Sequence, residues 1–219
     1  MLLPVSRYQW SEFGVVPEDG GIYAWYCSPE ITEFDLDQAI ASVTKLKNSG
    51  DIQAAEKYVR DVLETRILRQ FSEQPYNVVI DGSLKPTYRG QIYYDNSLSD
   101  SLVNRLVADP TRLCAIRDVM ENSAPNFASP LYIGMAQNLR KRLNTHKSLI
   151  ERHRERQFGD RSADYQNTSD AGFARQVAER KLPPERLFVV VCVMDTINGA
   201  HNDVENLLNR IYYPVLGRN

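Results

Sequence analysis

The stretch Leu131-Tyr132-Ile133-Gly134-Met135-Ala136-Gln137-Asn138-Leu139-Arg140-Lys141-Arg142-Leu143-Asn144-Thr145-His146 contains a change of period on which the fold turns. Its first four residues are a short apolar and aromatic run closed by glycine, which reads as a strand. Gln137-Asn138 then supplies a helix cap, and Leu139, Leu143, His146, Leu149 and Ile150 recur at helical spacing behind it. One strand hands over to one helix. The helix is basic: within 140–161, Arg140, Lys141, Arg142, Lys147, Arg152, Arg154, Arg156 and Arg161 stand against Glu151, Glu155 and Asp160.

A related stretch lies more than a hundred residues upstream, where the turn signal Glu18-Asp19-Gly20-Gly21 leads into Ile22-Tyr23-Ala24-Trp25-Tyr26-Cys27. This β-branched and aromatic run is read as the first strand. Downstream, Ala171 to Lys181 has helical character and Pro183-Pro184 stops it. The unbroken apolar run Leu187 to Met194 predicts a central strand buried on both faces. Asn202 to Tyr213 predicts a last helix, ended by Pro214.

The residues between the two strands have a different character. Leu36 to Lys47 and Asp51 to Phe71 predict two helices joined at Asn48-Ser49-Gly50, the second with a stripe of Ile52, Ala55, Tyr58, Val59, Val62, Leu63, Ile67 and Leu68. Val78-Val79-Ile80 and Gln91-Ile92-Tyr93-Tyr94 read as short strands, too far apart across Pro86 for a two-residue hairpin. Leu98 to Asn122 predicts one or two helices broken near Pro110, closed by loop chemistry at Ser123-Ala124-Pro125-Asn126. The expected organisation is an α/β core from residues 1–27 and 128–219, with a mostly helical insertion over 28–127.

The 219 residues suffice for one domain with an elaboration, and a formal charge of −2 places any nucleic-acid surface in a local patch. Cys27, Cys114 and Cys192 are odd in number and far apart, against a disulfide framework or a zinc site. The opening Met1-Leu2-Leu3-Pro4-Val5 is too short for a signal peptide, and no run approaches a membrane span. A cytoplasmic protein with no membrane partner is the expectation. Between Glu30 and Glu73 acids outnumber bases nine to six, so these helices suit protein contact better than phosphate.

Gly21-Ile22-Tyr23, Tyr132-Ile133-Gly134 and the basic helix together resemble the GIY-YIG nuclease family, over about residues 18–27 and 130–219. The resemblance implies a small three-stranded, mainly antiparallel sheet flanked by helices, here with the insertion between its first two strands. It also implies an essential arginine ten residues after the second tyrosine, which is Arg142. His146 matches the histidine that many members carry one helical turn later. Glu205 matches the metal-binding glutamate of the last helix, and Asn219 matches an asparagine beyond a proline, here Pro214.

Mg²⁺, with Mn²⁺ able to substitute, is the implied cofactor and Glu205 its ligand, because a hard cation that keeps several waters suits a single carboxylate. Arg142 offers a fork of permanent charge to a phosphate. Tyr23 and Tyr132 would order or activate the attacking water, although an ordinary phenol, with a pKa near 10, needs help to act as a base. Arg140, Lys141, Lys147, Arg152, Arg154 and Arg156 are the expected DNA backbone contacts. His153 and His201 fit no motif position and are read as surface residues. The expected activity is cleavage of DNA, restriction-like and double-stranded, by a homodimer formed through the insertion. The alternatives are a nicking or structure-specific repair nuclease and a binding module without catalysis.

Overall fold

The computed structural model describes residues 5–29, 31–72, 75–82, 85–93, 97–158, 169–196 and 199–217. In chain order the strands and α-helices are β1 (Val5–Gln9), β2 (Gly21–Cys27), α1 (Glu33–Asn48), α2 (Ile52–Leu63), β3 (Tyr76–Gly82), β4 (Lys85–Ile92), α3 (Asp100–Ala108), α4 (Arg112–Phe127), β5 (Tyr132–Ala136), α5 (Leu139–Phe158), α6 (Ser169–Glu179), β6 (Leu187–Val193) and α7 (Ala200–Tyr212). The fold is mixed α/β. Contacts divide the chain into two compact units, Met1–Glu30 with Asp118–Asn219, and Ile31–Arg117.

The first unit is built on a four-stranded sheet of order β1-β6-β2-β5, antiparallel throughout. The three-stranded expectation is corrected by β1, which pairs with β6 from Val5↔Cys192 to Gln9↔Phe188. Its residues are mostly exposed, so this edge strand carries no apolar alternation to announce it. Pairing with β6 fixes it, and the Arg7 guanidinium lies 3.8 Å from the centre of the Phe188 ring.

Strand β2 lies between β6 and β5, and register sets its faces. Tyr23, opposite Gly134 and Val191, and Trp25, opposite Tyr132 and Val189, share one face. That face carries the core: Phe13, Leu139, Leu143, Ile150, Phe173, Val177 and Leu187 pack there with Tyr23 and Trp25. On the opposite face Tyr26 stacks on Phe188, ring centroids 5.3 Å apart. Burial and the neighbouring Tyr212 of α7 raise the Tyr26 phenol above its usual range.

The second unit is helical with one hairpin. Thr32 and Asp35 form a capping box on α1, and Asp51 and Ser99 cap α2 and α3. Gly50, at φ 81°, makes the α1–α2 turn that most side chains resist. Beyond Leu63 the helical path continues as a π turn and a 3₁₀ turn to Phe71. Strands β3 and β4 pair from Tyr76↔Ile92 to Gly82↔Lys85, so the segment across Pro86, read as too long for a hairpin, is itself strand. Proline fits because each strand of a two-stranded sheet has a free edge. The loop expected at Ser123–Asn126 is also corrected: α4 continues through it to Phe127. Proline there removes one N–H in the last turn of a helix already propagated.

Candidate active site

A cavity of about 240 Å³ opens at the β5 edge of the sheet, lined by Tyr132, Gly134, Arg142, Gln176, Glu205 and Asn209 among others. Four elements converge on it. Strand β5 gives Tyr132 and Gly134, the first turn of α5 gives Arg142, α6 gives Gln176, and α7 gives Glu205 and Asn209.

Behind this wall lies Tyr23, only 1% exposed. Arg142 Nε donates to its hydroxyl oxygen at 3.1 Å, and His146 Nε2 lies 3.4 Å from the same oxygen. Arg142 and His146 are one helical turn apart, so α5 presents both to one phenol. His146 is fully buried in a cage of rings: Tyr23, Trp25, Tyr132 and Phe173 have centroids 5.3–6.0 Å from its own. That burial, with the Arg142 charge adding to it, lowers its pKa to about 3, so the imidazole is neutral at physiological pH. Among the described residues its Nδ1 has no hydrogen-bond partner, a cost the ring packing must outweigh.

The glycines of the two tripeptides have separate reasons. A methyl group on Gly21 would overlap the Cys192 carbonyl oxygen of β6. On Gly134 it would come within 2.6 Å of the Tyr23 hydroxyl and 2.8 Å of Tyr132 Cε1. The second glycine is thus the space in which the two tyrosines, ring centroids 6.2 Å apart, lie side by side.

Glu205 Oε1 accepts from Asn209 Nδ2 at 2.7 Å. Burial raises the Glu205 carboxyl above its ordinary range, and the Asn209 hydrogen bond offsets part of the rise. Among the described residues no group of three or more His, Cys, Asp and Glu is arranged to hold a metal. The donor set suits a different kind of site: one carboxylate and neighbouring amide side chains, all hard donors, beside a cavity with room for water. Mg²⁺ or Mn²⁺ fits that set through Glu205, and zinc does not.

The structure sets Tyr132, Arg142 and Glu205 on the wall of one cavity, with Tyr23 and His146 buried behind Arg142, whereas Asn219 lies outside the described residues. Of the expected DNA contacts, two are engaged within the protein. Arg140 donates to the Val16 carbonyl and pairs with Glu18, both at 2.6 Å, and Lys147 donates to the Trp10 carbonyl at 3.2 Å. Lys141 and Arg152 are exposed and Arg154 is half-buried, while the Arg156 side chain lies outside the description.

His201, expected at the surface, is 2% exposed. The first turn of α7 sets its Nε2 3.5 Å from Gln137 Nε2, and Gln137 in turn accepts from Thr196. His153 is half-buried. Sequence reasoning also missed Gln176 and Asn209. Asn209 had a signal, since it follows Glu205 by one helical turn and so shares its face. Gln176 had none.

Comparison of the chain with family models, with curated proteins and with solved structures returns no match.

Proposed function

We propose that the chain is a divalent-metal-dependent endonuclease that hydrolyses DNA phosphodiester bonds at the β5-edge cavity. The observation that carries this reading is the convergence of a phenol, a guanidinium and a partly buried carboxylate, Tyr132, Arg142 and Glu205, on one cavity from three elements. Arg142, whose Nε donates to Tyr23, brings a permanent positive charge to the scissile phosphate at the cavity wall. Tyr23 thereby fixes the plane of the fork. His146, neutral in its ring cage, steadies Tyr23 without adding a second cation beside Arg142. Tyr132, which lines the cavity, orients the attacking water. Asn209 holds Oε1 of Glu205, leaving Oε2 for Mg²⁺ or Mn²⁺. A cation held by Glu205 would supply stabilisation of charge on the departing 3′ oxygen.

Glu205→Gln tests the proposal. The amide keeps an oxygen for Asn209 and removes a charge that burial already disfavours, so stability should hold or rise. Cleavage of DNA in Mg²⁺ or Mn²⁺ is expected to fall at least about a hundredfold, as for loss of one group stabilising the transition state. Wild-type chain that cleaves neither DNA nor RNA with either cation would leave only the non-catalytic binding module.

A further inference from the structure

The β3–β4 hairpin has one face without charge and one that mixes polar, charged and apolar residues. Register places Tyr76, Val78 and Ile80 opposite Ile92, Gly90 and Tyr88, so all six share one face, and none is charged. Ile80, Tyr88, Ile92 and Tyr76 there are 62%, 58%, 59% and 59% exposed. The other face carries Asn77, Val79, Arg89 and Gln91, and Gln91 Nε2 donates to Asn77 Oδ1 at 3.1 Å while Gln91 Oε1 accepts from Tyr93.

We infer that the apolar face of this hairpin is the surface through which two copies of the chain associate, face against face. A lone two-stranded hairpin is marginal in water and gains stability when one face is covered. At the observed exposure these four residues present roughly 500 Å² of mostly apolar surface, at the upper end of what a monomer leaves bare. Two such faces would bury about 1,000 Å², the lower bound for a specific interface. A nucleic acid is a poor occupant, because phosphates require cations and Arg89 projects from the opposite face. A second copy brings an uncharged, β-branched and aromatic face of the same kind, as an isologous contact requires. The association needs neither metal nor DNA, so it stands or falls apart from the proposed chemistry.

Sedimentation velocity of the full chain without metal or DNA, over about 1–100 μM, should show the 25.1 kDa chain becoming a dimer. Ile80→Lys and Tyr88→Lys should each weaken the dimer by about a hundredfold, because a charge would be buried twice across the two-fold axis. Val79→Lys, on the other face, should dimerise like wild type, with circular dichroism confirming the fold of all three. Hydrogen exchange of the wild type supplies a reading that needs no variant: β3 and β4 amides should gain protection as concentration rises. A monomer at every concentration, a dimer indifferent to both face variants, equal disruption by Val79→Lys, or unchanged exchange in the hairpin would each overturn the inference. So would a monomer that loses DNA binding on Ile80→Lys, which would assign the face to nucleic acid.

Discussion

At the residue scale the candidate site rests on the space left by one missing side chain. Gly134 lies opposite Tyr23 across the β2–β5 pair, and its hydrogen is all that fits between the two phenols. Gly134→Ala should therefore cost about 1–3 kcal/mol of stability, the usual range for overpacking a tight core. Urea unfolding reads the cost, and under the nuclease reading DNA cleavage should fall with it as Tyr23 and Tyr132 are pushed apart. A variant as stable and active as wild type would show that the rings can yield.

His146 makes a prediction about pH. Its folded pKa of about 3 lies below the ordinary 6.5, so between these values the unfolded chain binds a proton that the folded chain refuses. The stability associated with neutral His146 is present above pH 6.5 and is lost as pH falls towards 3. From about pH 7 to 5, wild type should lose stability relative to His146→Gln, with a differential slope approaching about 1.4 kcal/mol per pH unit below 6. Parallel pH profiles for the two proteins would mean that His146 titrates normally.

At the scale of elements, the described candidate residues of α5 fall into three groups with different surroundings. Arg142 and His146 point at Tyr23, Arg140 and Lys147 are bound to the 10–18 segment, and Lys141, Arg152 and Arg154 are left with solvent access. Under the nuclease reading these three contact phosphates. Replacing each with alanine should weaken DNA binding alike for all sequences and lower the salt slope by about 0.9 per contact removed. An unchanged slope would place the DNA elsewhere. Periodicity made α5 legible, along with α1, α2 and β6, because each buries a face or stripe against a core. It failed for β1, an exposed edge strand held by backbone pairing, and for the end of α4, where helix propagation overrode turn-forming residues.

At the scale of the whole molecule, the proposed chemistry uses the one cavity described above, and a double-strand break needs two cleavage events. If the active form is the dimer inferred from the hairpin, supercoiled plasmid should pass to linear DNA with little nicked circle accumulating, and Tyr88→Lys should shift the products towards nicks. Accumulating nicked circles with the wild type would favour the nicking, structure-specific alternative.

The sequence by itself determined the local pieces: the two glycine-tyrosine strands, the helix that follows the second, the buried strand β6, and the helical character of the insertion. Each follows from spacing and cap chemistry within a few turns of chain. It also marked Tyr23, Tyr132, Arg142, His146 and Glu205 as candidates, through a resemblance in spacing. Only the tertiary structure decided which of them share a cavity, that His146 is caged and neutral, that Arg140 and Lys147 are occupied, and that Gln176 and Asn209 join the wall. The reason is physical. Burial and charge at a site are set by residues that meet across more than a hundred positions of sequence, as Tyr23 and His146 do, and no local pattern records which rings will surround an imidazole.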